Sequence, residues 1–398
     1  MKIRKPGLLL RIVIAIAAGI GAAYILPLPA ARCFATFNAL FSSFLSFIIP
    51  LLIVGFVASA IADIGKRAGA MLLTTVGVAY LMTFGSGVLA YFTATGTFPA
   101  LIGDTVLSAD TVAAQAPQPF FTIPLEPLFG ITTALALAFV LGFGCATIPE
   151  STVSLKGFVN DFRNLIRLLI EKAIVPLLPL YIFGIFLSMT IEGAVAPILS
   201  TFIKIIAIIF VLHIAVLLIQ FSIASLFSGK NPVKSLISML PAYATALGTQ
   251  SSAATIPVTL ERTVAMGVDK ETAGFVIPLC ATIHMSGSTL KIVSCAIAIM
   301  MVRDMPFDFP MFATFIAMLG ITIVAAPGVP GGAIMAALAV LSSVLGFSEA
   351  DNALMIALYI AMDSFGTACN ITGDGAIAQI IARIFKRKAM PETASANC

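Results

Sequence analysis

The run AMDSFGTACNITGDGAIAQI, residues 361–380, decides how this chain folds. Asp363, Thr367, Asn370 and Asp374 stand at offsets 0, 4, 7 and 11, which is one stripe of an α-helix. Apart from Gln379 near its end, the rest of the run is apolar or small. An acid held at mid-membrane costs roughly 2.5–3.5 kcal/mol on insertion scales. Two acids on one stripe therefore call for a compensating cation, a substrate ammonium or a buried lysine. A stripe that only glues helices together is the plain alternative, and Ser or Thr takes that role more often than Asp.

The surroundings make this helix a membrane one. Of 398 residues, 60% are hydrophobic and 10% charged, and the mean hydropathy is +1.10. A soluble domain carries about 25% charged residues. Lipid forbids unpaired backbone groups, so spanning elements are helices or a closed barrel. The apolar runs are long and lack period-2 alternation, which selects an all-α polytopic protein. Six cysteines at 33, 145, 280, 295, 369 and 398 show no CxxC or CxxH spacing and read as small apolar residues. The opening MKIRKPG and the apolar run behind it read as a first transmembrane helix rather than a signal peptide, because many spans follow.

Continuous apolar segments predict spans near 8–29, 35–62, 67–94, 126–149, 164–190 and 194–228. Segments 233–264, 271–301, 308–346 and 351–384 are apolar but broken at their centres by Ser, Thr, Gly and Pro. If 233–264 and 308–346 enter and return as hairpins, nearly all Lys and Arg fall on one side, leaving Arg32 and Arg303 on the other. The positive-inside rule then places the N-terminus in the cytoplasm and the long loop 95–125, which has no Lys or Arg, outside. The two hairpins share a pattern. GTQSSAATIP and AAPGVPGGAIM stand at their tips, and a polar break follows 17 residues after Gly267 and after Gly346, at His284 and Asp363. A matched pair of interrupted segments points to a transporter binding site.

The neighbouring span reads CATIHMSGSTLKIVSC, with His284, Ser288 and Lys291 on one face. His284 is either a proton carrier or a neutral hydrogen-bonding residue. Lys291 either snorkels outward or pairs with Asp363 or Asp374. The tip SSAATIP offers hydroxyls and free N–H groups at a helix start, an anion site fit for a carboxylate. The tip PGVPGG offers exposed carbonyls, which coordinate hard cations such as sodium. Ordinary helix kinking is the bland reading of both tips.

Enzyme readings fare worse. Asp363 and Asp374 are three turns apart, about 16 Å by the helical rise, too far to share a proton as aspartyl proteases require. The MSG triplet beside His284 has no second base placed for it. Neither H-E-x-x-H nor a Walker loop occurs, so an ion gradient is the economical energy source, with no organic cofactor.

At QSSAATIP, ATIHMSGST, GVPGGAIM and the D-x-x-x-T-x-x-N-x-x-G-D pattern of 363–374, the chain resembles the dicarboxylate/amino acid:cation symporters, the glutamate transporter homologues. The resemblance runs along essentially the whole chain. It implies eight transmembrane helices plus two re-entrant helical hairpins, inverted repeats, a homotrimer and an elevator-type movement. Residues 1–228 would hold helices 1–6, mostly scaffold and trimerisation surface, with helices 3 and 6 moving with the transport part. Residues 229–388 would form the transport core of hairpin 1, helix 7, hairpin 2 and helix 8, and 389–398 a cytoplasmic tail.

The resemblance also implies roles. Asp363 matches the acid that holds the substrate's amino group, with Thr367 assisting. Asn370, helped by Ser251 and Ser252, matches the group that binds its main carboxylate, and Ser288 lines the same pocket. Val329 and Gly328 stand at the outer gate. Asp374 and Asn370 match sodium ligands, and Thr282 with the carbonyls of 324–326 a second sodium site. Relatives that carry acidic substrates place an Arg three residues after the amino-binding acid; here that position is Gly366. Others supply an Arg from the first tip, where this chain has Gln250. A buried carboxylate side chain would then lack its partner, so a small neutral amino acid is the expected substrate. An acidic amino acid or C4-dicarboxylate, held by Lys291, is the alternative. The family's N-M-D-G-T motif reads His284-Met285-Ser286-Gly287-Ser288 here, without the Asn and Asp that hold a third sodium. Lys291 is then expected to replace that sodium as a fixed counter-charge, with His284 as the second coupling candidate, through a proton. The setting that suits this reading is a bacterial inner membrane, with both termini cytoplasmic, and lipid and a small solute rather than nucleic acid as partners. An uncoupled anion channel or an intramembrane hydrolase is the contrasting class.

Overall fold

The fold, taken from a computed structural model, is described for residues 8–64, 70–102, 117–147, 153–193, 195–324 and 331–385. Those residues form helices and connecting turns, with no strand among them. The predicted spans each carry a helix: α1 (Leu8–Ala23), α2 (Leu28–Ile64), α3 (Ala70–Ile102) and α4 (Ile131–Thr147). Next come α5 (Val153–Leu169) and α6 (Val175–Ile191), joined through a π turn at Ile170–Ile174, and α7 (Val195–Ser228). Among the described residues, five helical stretches are long and apolar enough to cross a membrane, and a bent pair near the C-terminus makes a sixth. Helix α1 stops short of residue 29 because the chain turns at Leu26 and Pro27, and α2 starts early with Pro29 in its first turn, where a proline is tolerated. Helix α5 extends the sixth-to-last span upstream of residue 164. Its buried side carries Val159 and Ile166 while Arg167 pairs with Glu171 at 2.9 Å outside.

The interrupted segments are helix pairs. Helices α8 (Pro232–Ser238) and α9 (Leu240–Thr249) lead to a two-residue turn, and α10 (Ser252–Ala265) returns alongside α9. The turn follows from its residues. Gln250 takes a left-handed conformation at φ 53°, and the Ser251 hydroxyl caps α10 by accepting from the Ala254 N–H. Helix α13 (Phe309–Val324) likewise packs on α14 (Gly332–Leu345) across the second tip. Helices α11 (Lys270–Ile283) and α12 (Ser286–Val302) form one interrupted span, broken where His284 is extended. Helices α15 (Glu349–Ala361) and α16 (Asp363–Ile384) meet at 63° at Met362.

Burial shows where the centre lies. Every residue of α12 but Met301 is buried, and α16 is buried from Asp363 to Ile381 apart from Phe365. Helix α16 packs on α7, α9, α10, α11 and α12, and α12 packs on α3 as well. A second group gathers on α2, which touches α4, α5 and α6, while α1 lies on α6. Helices α13 and α14 also touch α2, and α15 touches α1 and α6. Arg303 at the end of α12 pairs with Asp351 of α15 at 3.1 Å, the same carboxylate that completes a capping box with Ser348.

Candidate functional site

The two breaks, at His284–Met285 and at Met362, bring the polar faces of α12 and α16 together in the middle of the molecule. Lys291 is fully buried, and its Nζ lies 3.1 Å from Asp363 Oδ1. The same ammonium reaches the Met362 carbonyl at 3.4 Å and lies 3.5 Å from the centre of the Tyr359 ring. A cation over an aromatic face is attracted by the ring's quadrupole. The other oxygen of Asp363 accepts from the Gly331 N–H at 2.8 Å, at the start of α14. Of the alternatives left open for Lys291, the geometry selects pairing, and pairing with Asp363 rather than Asp374.

Gly366 explains how the pair fits. A Cβ at that position would stand 2.6 Å from Lys291 Nζ and 2.8 Å from its Cε. The lysine head therefore fills the space that any side chain at 366 would need. Gly287 is held as tightly, since its Cβ would lie 2.7 Å from the Gly366 carbonyl oxygen and from Cys369 Cβ.

Asn370 joins the two helices. Its Oδ1 accepts from Gly287 N–H at 2.7 Å and Ser288 N–H at 3.4 Å, capping the first turn of α12. Its Nδ2 donates to Ser288 Oγ at 3.1 Å, and that hydroxyl meets Tyr359 OH, also at 3.1 Å.

Asp374 is buried one turn deeper. Its Oδ1 lies 2.9 Å from His284 Nδ1, which also reaches the Asn370 carbonyl at 3.1 Å. Both neighbours only accept, so Nδ1 carries a hydrogen. On the other edge, Nε2 is 2.7 Å from Ser286 Oγ, which accepts from Gln220 Nε2 at 2.8 Å. The donors run in order from Gln220 through Ser286 and His284 to Asp374. Asp374 Oδ2 is left buried without a hydrogen-bond partner. A buried carboxylate oxygen with a free lone pair is an acceptor that the described residues leave unused.

The remaining expected residues are placed less centrally. Thr367 is buried on α16. Ser251 and Ser252 sit at the first turn of α10, which packs on α16, and no hydrogen bond joins them to the Asn370 network among the described residues. The Thr282 hydroxyl donates to its own helix at Leu279 O, 2.7 Å away. Gly328 and Val329, with residues 325 and 326, lie outside the described residues, as does the tail 389–398.

Three participants escaped the sequence reading. Tyr359 lies across the bend from Asp363, where helical spacing fails as a guide. His213 and Gln220 of α7 stand seven apart, a common face inside an apolar run, and that spacing could have found them. His213 Nε2 donates to the Gly287 carbonyl at 3.2 Å.

Comparison with known proteins agrees with this picture. The sequence profile of the sodium:dicarboxylate symporter family matches residues 8–384. Excitatory amino acid transporter 5 of Mus musculus is 34% identical over 163 residues, covering 41% of this chain and 29% of that protein. Neutral amino acid transporter B(0) of Rattus norvegicus is 30% identical over 42% of this chain and 30% of its own length. The chain thus spans under a third of either mammalian relative. Serine/threonine transporter SstT of Acinetobacter baumannii is 26% identical over 391 residues, which covers 93% of this chain and 95% of that one.

Proposed function

This chain belongs to the sodium:dicarboxylate symporter family, and from that premise we propose that it is a secondary active symporter, coupling a sodium gradient to uptake of a small neutral amino acid. The observation that carries the substrate reading is Lys291 packed against Gly366. With no side chain at 366 and Gln250 at the first tip, the pocket has no guanidinium for a second carboxylate. Asp363 is the group for the substrate's ammonium, and Asn370, Ser288, Ser251 and Ser252 are the groups for its carboxylate. The serine/threonine transporter matched along nearly its full length supports the same class.

The same observation favours one other reading. Lys291 Nζ stands where relatives of acidic specificity grow their Arg, so an acidic amino acid or C4-dicarboxylate is the second candidate. Uptake of labelled serine into proteoliposomes, with alanine, aspartate and succinate as competitors, separates the two. Competition by alanine alone supports the neutral class, and competition by aspartate or succinate alone sinks it. Asp374, with its unpartnered oxygen, is proposed as a sodium ligand, and Thr282 as part of a second sodium site. A proton carried at His284 is the further coupling candidate, tested by uptake under a pH gradient without sodium.

The finer architecture is part of the proposal. We take α9–α10 and α13–α14 as re-entrant hairpins, α3 and α7 as moving with α8–α16, and the group on α2 as scaffold of a homotrimer with elevator-type movement. The packing of α3 and α7 on α12 and α16 supports that division. A bacterial inner membrane with cytoplasmic termini completes it.

A further inference from the structure

Four membrane-spanning stretches end around one cavity of about 1250 Å³. Helix α3 contributes Met71 from its second position and α7 its last three residues. Helix α11 contributes Glu271 from its first turn, and α16 contributes Arg383 from its last. The volume exceeds the roughly 300–1,000 Å³ of ordinary small-molecule sites. Its walls carry two kinds of chemistry. Leu226, Phe227 and Phe275 line it and stay exposed, at 85, 44 and 36%. Lys230, Arg383, Asp269 and Glu271 line it too, and among the described residues no ion pair joins either cation to either acid. We infer that this cavity binds a membrane phospholipid whose headgroup carries both a phosphate and a primary ammonium. Lys230 and Arg383 hold the phosphate, Glu271 holds the ammonium, and the acyl chains run along Leu226, Phe227 and Phe275. The inference does not depend on which solute is carried.

Lys230 is built into the wall. Its ammonium donates to the Met266 carbonyl just beyond α10. It reaches that carbonyl past Gly267, where an added Cβ would lie 2.8 Å from Nζ. Two of its three N–H donors remain for a ligand. Burial lowers its pKa from the ordinary lysine value, so the ammonium gains from an anion brought beside it. The Arg383 guanidinium and the Glu271 carboxylate have no hydrogen-bond partner among the described residues. Asp269 is already engaged in capping α11, which leaves Glu271 as the acid for an ammonium. The charged residues that line the cavity, two cations and two acids, sum to zero. A zwitterionic headgroup preserves that balance and a purely anionic one does not. The exposed apolar side chains argue for a lipid over a soluble zwitterion. They stand where spans end, at the level where a bilayer presents headgroups above and acyl chains below.

The test uses the full chain, freed of lipid in detergent, with phosphatidylethanolamine fluorescently labelled on one acyl chain as probe. Binding is expected to saturate. Unlabelled phosphatidylethanolamine should displace the probe at least about fivefold better than phosphatidylcholine, whose methylated ammonium cannot donate to Glu271, or phosphatidylglycerol, which has none. Arg383→Gln and Glu271→Gln are each expected to weaken binding about fivefold. Without lipid, both variants should melt within about 2 °C of the wild type, since neither side chain has a partner to lose. Lys230→Met should weaken binding at least as much, and if it fails to fold the other two variants decide. Unchanged binding in either of those two overturns the inference, as does phosphatidylglycerol or phosphatidylcholine binding as well as phosphatidylethanolamine. Glycerophosphoethanolamine, the same headgroup without acyl chains, is expected to leave the probe in place. Displacement by it would make this a site for a soluble zwitterion and overturn the lipid reading. Failure of every phospholipid to bind saturably would leave the cavity to solvent or to the chain's own C-terminal tail, and overturns it as well.

Discussion

Asp363 and Asp374 share one helix and one face, but their surroundings differ in kind. Asp363 stands at the bend, with one oxygen on an ammonium and the other on a backbone N–H of a different segment. Asp374 lies at zero exposure, with one oxygen on an imidazole and the other unpartnered. The first acid has both oxygens hydrogen-bonded within the protein. The second keeps one oxygen without a partner among the described residues. On the proposed symport reading, this difference lets two identical side chains divide recognition of substrate from recognition of ion.

The hardest blow to that contrast is Asp363→Ala. It leaves the Lys291 ammonium buried without its counter-charge, and loss of about 3–5 kcal/mol of stability is expected, together with loss of serine binding. Unfolding in detergent measures the first and a thermal shift the second. Adding Lys291→Met should restore most of the stability and none of the binding; an equally unstable double variant would show that the pair is not the cause. Asp374→Asn keeps the shape and removes the charge. Stability should fall by about 1–3 kcal/mol, and the sodium dependence of substrate binding should flatten, while binding that keeps its full sodium response removes Asp374 from the ion site. Gly366→Ala forces the added carbon onto Lys291, and a loss of about 1–3 kcal/mol is expected. That loss should shrink when Lys291 is first shortened to Ala, which is a test of contact by double-mutant cycle.

Asp269, outside the membrane spans, supplies the baseline of an acid with a purely local role. It caps α11 by accepting from Thr272 N–H at 2.8 Å, and chiefly that bond holds its carboxyl below the usual carboxylate range. Asp269→Ala should cost about 1 kcal/mol. Because the folded pKa is depressed, the cap contributes fully above the unfolded carboxylate range. Its contribution fades as pH falls through the folded value, so the difference between wild type and variant should vanish in acid.

Much of this was readable in residue order. The stripe 363, 367, 370, 374 emerged from helical spacing alone, because offsets of 0, 4, 7 and 11 fall on one face of a helix. The break between α9 and α10 emerged from the polar run GTQSS, where an apolar helix does not continue. What the spacing could not decide was partnership. Lys291 had two acids within imaginable reach, and only the 63° bend at Met362 brings Asp363 to it. Tyr359 was unreadable for the same reason, since the bend ends the register that would have placed it one turn from Asp363. The ends of α1, α2 and α5 moved from their expected positions because proline placement and amphipathic entry turns, not hydropathy, set where a helix starts.

The contact between Lys291 and Gly366 has a consequence for any change at either position. A Cβ at 366 would meet the far end of the Lys291 side chain, so a larger residue there displaces the ammonium rather than the backbone. The two positions are therefore coupled: a change at 366 alters where the lysine head rests, and a shorter residue at 291 frees room at 366.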